Sequence, residues 1–241
     1  MTVKTRCIAC GKCAEVCPSK DNTCTVCGAC VAICPTGARS ISGYDVSAAD
    51  LMAVITRDTV FYEESGGGVT FSGGEPLSQP EFLLECLSLC REAGIHTAVD
   101  TSGYNDSIVF LEIVKNTDLL LYDIKTVDNE IHKRFTGVDA TLILENLKRA
   151  SSAECPIEIR IPVIPEVNDT IESCIAITAV LRTVKRISGI RLLPYHTTGV
   201  QKHIRLFGSY AMETLIPPSS ETMKKLAEVF IRAGFATHIG G

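Results

Sequence analysis

Residues 7–18 read CIACGKCAEVCP, and residues 24–35 read CTVCGACVAICP. These two segments hold eight of the twelve cysteines of the chain, in one repeated spacing. Three thiolates separated by two residues each can bind three corners of an iron–sulfur cube, and a fourth thiolate, followed by proline, reaches the neighbouring cube. The repeat therefore predicts two [4Fe–4S] clusters, one on Cys7, Cys10, Cys13 and Cys34 and the other on Cys17, Cys24, Cys27 and Cys30.

Two other interpretations of these cysteines are less favoured by the pattern. A disulfide framework needs an oxidising compartment, and residues 1–6 do not resemble a secretory signal. Structural zinc sites use pairs of cysteines that lie far apart, whereas three ligands crowd each segment here. The spacing therefore favours iron–sulfur clusters over either alternative.

The composition narrows the classes of partner. The 241 residues carry a net charge of −5, which offers no positive surface for nucleic acid or an anionic membrane. No apolar run approaches the ~20 residues of a membrane-spanning helix. We therefore expect no nucleic-acid partner and no membrane partner, and the use of cysteine predicts a reducing cytoplasm.

The pattern after the cysteine segments predicts an α/β fold. Residues 1–40 form a predicted ferredoxin-like module, and residues 45–241 alternate strands with helices. Strands are predicted at 69–72, 97–99, 119–124, 157–163, 190–193 and, weakly, 235–239. Helices are predicted at 47–56, 80–93, 107–115, 142–150, 171–185 and 220–233. Strands this apolar suit a parallel sheet, either doubly wound and open or closed as a full or partial barrel.

The position of the polar residues favours the barrel. Charged or ionisable side chains fall at or near the carboxyl ends of successive predicted strands, where a barrel builds its ligand site. These residues are Glu75, Asp100, Asp123, Lys125, Arg160 and His196. A further signal is the glycine-rich run GGGVTFSGGEP at 66–76, whose second glycine pair lets the backbone approach a ligand and leaves Glu75 available to accept from an ammonium group.

Residues 69–76, which read VTFSGGEP, resemble the segment that contacts S-adenosylmethionine (SAM) in the radical SAM superfamily. Five further segments follow in the same order as in the activating enzymes of glycyl radical enzymes, over essentially the whole chain. They are DTSGY at 100–104, LYDIK at 121–125, IHKRFTGV at 131–138, RIPVIP at 160–165 and LLPYH at 192–196. The two-cluster insert resembles the subgroup that serves dehydratases, decarboxylases and lyases.

The resemblance implies a partial (β/α)6-type radical SAM barrel that lacks its first strand, and a set of ligand contacts. Gly73, Gly74 and Glu75 would meet the methionine end of SAM. A monovalent cation would be held against the SAM carboxylate by Asp100, Thr101 and Asp123. The remaining implied contacts to the cofactor or the cation shell are Ile124, Lys125, Arg160 and His196.

One departure from the family pattern concerns the catalytic cluster. The family binds a third [4Fe–4S] cluster on a CxxxCxxC loop just upstream of the insert, and these 241 residues contain no such triplet. Cys86 and Cys90 lack a third partner, and with Cys155 and Cys174 they are expected to be core thiols. We therefore expect an N-terminally shortened sequence whose parent alone carries the third cluster, so that no catalytic residues are assigned here. A smaller departure is Glu166, which stands where the family usually has glycine.

The resemblance implies an oxidoreductase that cleaves SAM reductively. Electrons relayed through the two clusters would yield a 5′-deoxyadenosyl radical, which takes a hydrogen atom from a glycine of a partner glycyl radical enzyme. A flavodoxin or a ferredoxin-type protein would be the reductant. The alternative is a non-catalytic iron–sulfur electron carrier or binding protein derived from such an enzyme.

Overall fold

A parallel sheet organises the fold of the computed structural model, which describes residues 2–19, 23–41, 43–196 and 215–240. Its six strands lie in the order of the chain, and every neighbouring pair is parallel. The strands are β1 (Gly68–Phe71), β2 (His96–Thr101), β3 (Leu119–Asp123), β4 (Ile157–Val163), β5 (Ile187–Pro194) and β6 (Thr237–Ile239). All six predicted strands form, including the weak one near the C-terminus, and the predicted parallel α/β architecture is confirmed.

Of the eight longer helices in the described part of the chain, six follow the predicted ranges, and the two at Thr59–Ser65 and Asn129–Thr136 lie outside them. The eight are α3 (Ala48–Ile55), α4 (Thr59–Ser65), α5 (Pro80–Glu92), α6 (Ser107–Lys115), α7 (Asn129–Thr136), α8 (Thr141–Ala150), α9 (Ile171–Leu181) and α10 (Ser220–Arg232). The predicted capping of α3 is present, because the Ser47 hydroxyl accepts from the Asp50 N–H at 3.1 Å. Helix α9 ends at Leu181, four residues earlier than predicted, because the chain must turn at Arg186 (φ 64°) before β5 begins.

The two faces of the sheet differ in burial. Along β4 the odd-numbered residues from Ile157 to Val163 are buried, and the even-numbered ones are half-buried. The buried side chains form the hydrophobic core together with apolar residues of α5, α6, α8, α9 and α10. The alternation leaves a second, half-buried face of the sheet, and this face carries the charged side chains of the candidate site.

The four remaining cysteines belong to the hydrophobic interior. Cys86, Cys90, Cys155 and Cys174 are all buried, which confirms their prediction as core thiols. Burial raises the pKa of Cys86, Cys155 and Cys174 to about 11 in each case, so these groups stay protonated thiols at neutral pH.

The chain divides into two units, Met1–Val46 with His196–Leu215, and Ser47–Tyr195 with Ile216–Gly241. The first unit contains the cysteine module, with the short helices α1 (Lys12–Glu15) and α2 (Ala29–Ala32) and an isolated antiparallel bridge between Thr2 and Arg39. Within the described part of the chain, no helix combines the length and the apolar character needed to cross a membrane.

Candidate functional site

The sequence repeat of the cysteine module is also a repeat of backbone geometry. Ala9 and Val26, seventeen positions apart, have φ values of 53° and 55°. Gly11 and Gly28 both have φ 79° and stand at the N-termini of α1 and α2. Left-handed residues alternating with right-handed ones turn successive N–H groups toward one point, which creates a concave site for an anion such as a sulfide-bearing cluster.

The eight module thiols lie around two separate cavities. Those of Cys7, Cys10, Cys13 and Cys34 line the first cavity, which has a volume of about 220 Å³. Those of Cys17, Cys24, Cys27 and Cys30 line the second cavity, of about 260 Å³. Each cavity is therefore lined by three cysteines of one segment and the fourth cysteine of the other. Their assignment to two clusters stays a prediction.

The chemistry of the donors suits thiolate ligation in the first cavity. The backbone N–H of Arg39, with smaller contributions from Thr36 and Ala38, lowers the pKa of the Cys34 thiol to about 7. A thiol with such a pKa is substantially ionised at neutral pH, and the thiolate is the form that binds metal. All eight cysteines are free thiols in the structure. The four thiols of each cavity therefore have the chemistry that a [4Fe–4S] cluster needs, although no three donors in the described part of the chain are grouped closely enough to hold a single metal ion.

The second unit brings three predicted site residues together on the half-buried face of the sheet. Asp123 lies beside Arg160 in the β3–β4 register, and Asp100 lies two strands from Arg160. Arg160 Nη1 donates to Asp100 Oδ2 at 2.5 Å, with the two side chains 24% and 20% exposed. Ser72 Oγ also donates to Asp100 Oδ2, at 3.3 Å. The sheet thus joins residues that lie 60 positions apart in sequence.

This charged group is not fully satisfied by the protein. Burial raises the pKa of Asp123, against the opposing effects of Lys125 and Arg160, and the nearby Asp100 carboxylate raises it further. The Nζ of Lys125 lies 3.4 Å from Asp123 Oδ2. The buried Nε of Arg160 has no hydrogen-bond partner. A raised carboxylate pKa beside an unpartnered donor is typical of a site that a charged ligand completes.

Glu75 differs from the expectation of a free acceptor. One carboxylate oxygen, Oε1, accepts from the Leu77 N–H at 3.2 Å and from the Thr101 hydroxyl at 2.5 Å. The other, Oε2, accepts from the N–H and the hydroxyl of Ser102 at 3.0 and 2.6 Å. Because a carboxylate offers about four acceptor positions, Glu75 is saturated and ties the exit of β1 to the end of β2.

The glycine pair before Glu75 remains open. Gly73 has φ 118°, a conformation that L side chains rarely adopt, and a Cβ on either Gly73 or Gly74 would meet no protein atom within 4 Å. The backbone at these two residues is exposed, so a ligand can approach it directly.

Three of the predicted ligand contacts are either bonded within the protein or lie outside the second unit. Ile124 is buried in the hydrophobic core, and its N–H donates to the Arg160 carbonyl at 2.8 Å. Thr101 is buried, and its hydroxyl accepts from the Gly103 N–H while donating to Glu75. His196 is exposed and belongs to the first unit, so its part in the site stays a prediction.

The sequence analysis did not identify Asn168, which holds the loops of the site in place. Asn168 is buried, and its side-chain amide donates to the carbonyls of Lys125 and Pro162 at 2.6 and 2.7 Å. Its oxygen accepts from the Ile164 N–H at 2.7 Å. Asn168 therefore fixes the exits of β3 and β4 together, and only its place in the turn after 160–165 could have suggested it.

Comparison with known proteins agrees with this geometry. Residues 16–175 match the family described as the Radical SAM superfamily, and residues 2–20 match the 4Fe-4S binding domain. The chain is 41% identical to the trans-4-hydroxy-L-proline dehydratase activating enzyme of Clostridioides difficile, over 98% of this chain and 83% of that protein. It is 38% identical to the pyruvate formate-lyase-activating enzyme of Clostridium pasteurianum, over 76% and 77% of the two chains.

A solved structure gives the same assignment. A domain of the pyruvate-formate lyase-activating enzyme from Bacteroides vulgatus ATCC 8482 superposes with a TM-score of 0.61 at 34% identity, covering 73% of this chain and 99% of that one. Family match, sequence identity and fold thus point the same way. The chain belongs to the radical SAM superfamily and, within it, to the oxidoreductases that activate glycyl radical enzymes.

Proposed function

We propose that this chain contributes two functions to the activation of a glycyl radical enzyme: an electron relay on two [4Fe–4S] clusters and a binding site for SAM. In such enzymes a reduced catalytic cluster together with SAM supplies a 5′-deoxyadenosyl radical, which takes a hydrogen atom from a glycine of the partner. The observation that carries the proposal is the sorting of the eight module thiols into two cavities of four.

The module suits an electron relay because its cavities lie in one short segment and share a boundary residue, Arg39. Exposed thiols at Cys7, Cys10, Cys24 and Cys27 bring the cluster sites to the surface, where a protein reductant can dock. A flavodoxin or a ferredoxin-type protein is the reductant of this proposal. Clusters on exposed thiolates need a reducing environment, which favours the cytoplasm.

The second unit suits the methionine end of SAM, which carries an ammonium group and a carboxylate. The carboxylate is matched by Arg160, whose Nε lacks a partner, and by a monovalent cation held between Asp100 and Asp123. The ammonium group is matched by the exposed backbone of Gly73 and Gly74, because Glu75 is already saturated. Further members of this proposed site are Thr101, Ile124 and Lys125.

Iron analysis tests the relay. Anaerobically reconstituted protein should carry about eight irons per chain, in two cubes. Cys17→Ser should damage the cluster of the second cavity although Cys17 belongs to the first segment, and Cys13→Ser should damage that of the first cavity. About four irons per chain, or stoichiometric zinc in protein isolated without oxygen, would contradict the proposal.

Equilibrium dialysis with radiolabelled SAM tests the binding site. Arg160→Gln removes the charge that faces the ligand carboxylate, so we expect binding to weaken about tenfold or more. Asp123→Asn should weaken binding and reduce its dependence on potassium. Glu130→Gln, at an exposed position in the first turn of α7, is the matched control and should bind as the parent does. Eight irons without any SAM binding would instead support the electron-carrier alternative.

A further inference from the structure

Arg39 occupies an unusual place in the cysteine module. Its backbone is held by the antiparallel bridge to Thr2, and the neighbouring Ala38 carbonyl accepts from the Val3 N–H at 2.7 Å. The residue is half-buried and lines both the first and the second cavity. A residue whose guanidinium is permanently charged therefore borders both proposed cluster sites.

The hydrogen bonds of Arg39 are not shared equally between the cavities. Its Nη2 donates to Cys13 Sγ at 3.5 Å, and the pKa of the neighbouring Cys34 thiol is lowered chiefly by the backbone N–H of Arg39. Both sulfurs belong to the first cavity. Arg39 also lines the second cavity, but among the described residues its guanidinium has no hydrogen bond to a thiol there, so its charge alone acts on that cavity.

The asymmetry has a consequence for electron affinity. Reduction adds one negative charge to a cluster, and hydrogen bonds to its sulfurs and nearby positive charge stabilise that added charge. We propose that Arg39 raises the reduction potential of the cluster in the first cavity relative to that in the second. With that order of potentials, an electron on the second cluster would pass favourably to the first, oxidising the second and reducing the first. This inference rests on the proposed two-cluster function.

Redox titration of anaerobically reconstituted protein, followed by electron paramagnetic resonance, tests the inference. Arg39→Gln should change the ratio of reduced to oxidised first cluster about tenfold at a fixed potential, which is a shift of about 59 mV to more negative values for a one-electron couple. The second cluster should shift less, in the same direction. The signal that changes in Cys7→Ser is assigned to the first cluster, and the signal that changes in Cys24→Ser is assigned to the second.

Two further variants separate the possible results. Arg6→Gln removes the same charge from an exposed position of the module that lines neither cavity, and should leave the difference between the two potentials unchanged. Arg39→Lys keeps the charge and should restore part of the difference. Equal shifts of both clusters, or no shift, with about eight irons retained would overturn the inference alone. Loss of iron from both Arg39 variants but not from Arg6→Gln would also overturn it, by assigning Arg39 to cluster assembly. Only about four irons in the parent would instead refute the two-cluster function itself.

Discussion

Replacement of Glu75 by glutamine probes how the saturated carboxylate holds β1 to β2. The amide keeps the shape of the side chain but turns one acceptor oxygen into a donor. If the amide nitrogen takes the position of Oε1, it faces the Leu77 N–H, and if it takes the position of Oε2, it faces the Ser102 N–H. A hydroxyl can rotate to accept from the new donor, but a backbone N–H cannot. One backbone N–H therefore loses its acceptor in either orientation.

The size of the effect follows from that lost bond. A hydrogen bond to a charged acceptor contributes about 1.5–3 kcal/mol, so we expect a loss of about 2 kcal/mol in the free energy of unfolding. For a chain of this length that corresponds to a fall in Tm of roughly 4–8 °C. The assay is thermal unfolding of reconstituted protein, followed by circular dichroism. The samples are kept anaerobic so that the parent and the variant retain their clusters.

The controls isolate the carboxylate. Glu85→Gln makes the same chemical change at an exposed position of α5 and should leave Tm within about 1 °C of the parent. The double variant Glu75→Gln/Ser102→Ala should cost less than the sum of the single variants, because both act on the hydrogen bond of Ser102 Oγ: Ser102→Ala removes it, and Glu75→Gln weakens it by removing the charge of its acceptor. A Glu75→Gln protein as stable as the parent would refute the saturation of this carboxylate.

Two further predictions concern strain and burial. Glu166 has φ 65°, which costs a residue other than glycine about 1–2 kcal/mol, whereas glycine costs about 0.5–1 kcal/mol of chain entropy. Glu166→Gly should therefore raise Tm by about 2 °C, and Glu166→Ala, which keeps the strain, should not. Burial raises the pKa of Asp123, so the folded state holds this proton more tightly than the unfolded state. The ionised carboxylate then costs stability above its pKa, and the cost disappears as pH falls through it. Asp123→Asn should thus be at least as stable as the parent at pH 8, with an advantage that shrinks as pH falls. A large loss of stability at pH 8 would contradict the assignment.

The elements of the fold were predictable because they depend on local pattern. Each β-branched, apolar run forms a strand, and Ser47 caps its helix through a residue only three positions away. The predicted end of α9 was wrong because a tertiary constraint, and not a local pattern, ends that helix: the chain turns at Arg186 to enter β5. Helix α4 was missed because no apolar period marks residues 59–65.

One motif read as part of the family signature has a structural role. In the segment 131–138, His132 is buried, and its Nδ1 pairs with the Val138 carbonyl at 2.7 Å and with the Thr136 hydroxyl at 2.9 Å. These bonds close the C-terminal end of α7 around Gly137, which has φ 86°. The motif therefore shapes the turn after α7, and the sequence alone does not separate this role from ligand binding.

The sequence by itself predicted the grouping of the module cysteines and determined the alternation of apolar strands with helices. In each segment three cysteines are separated by two residues, with a glycine between the second and the third. A few backbone angles then set the positions of the three cysteines relative to one another, so the local pattern predicts their geometry. The tertiary structure alone decided that Glu75 is saturated, that Arg160 reaches Asp100 across two strands, and that Arg39 lies between the two cavities. When a hydrogen-bond donor and its acceptor lie far apart in sequence, strand register and the direction of each side chain decide whether they meet. Both are set by packing of the whole sheet, and no local pattern encodes them.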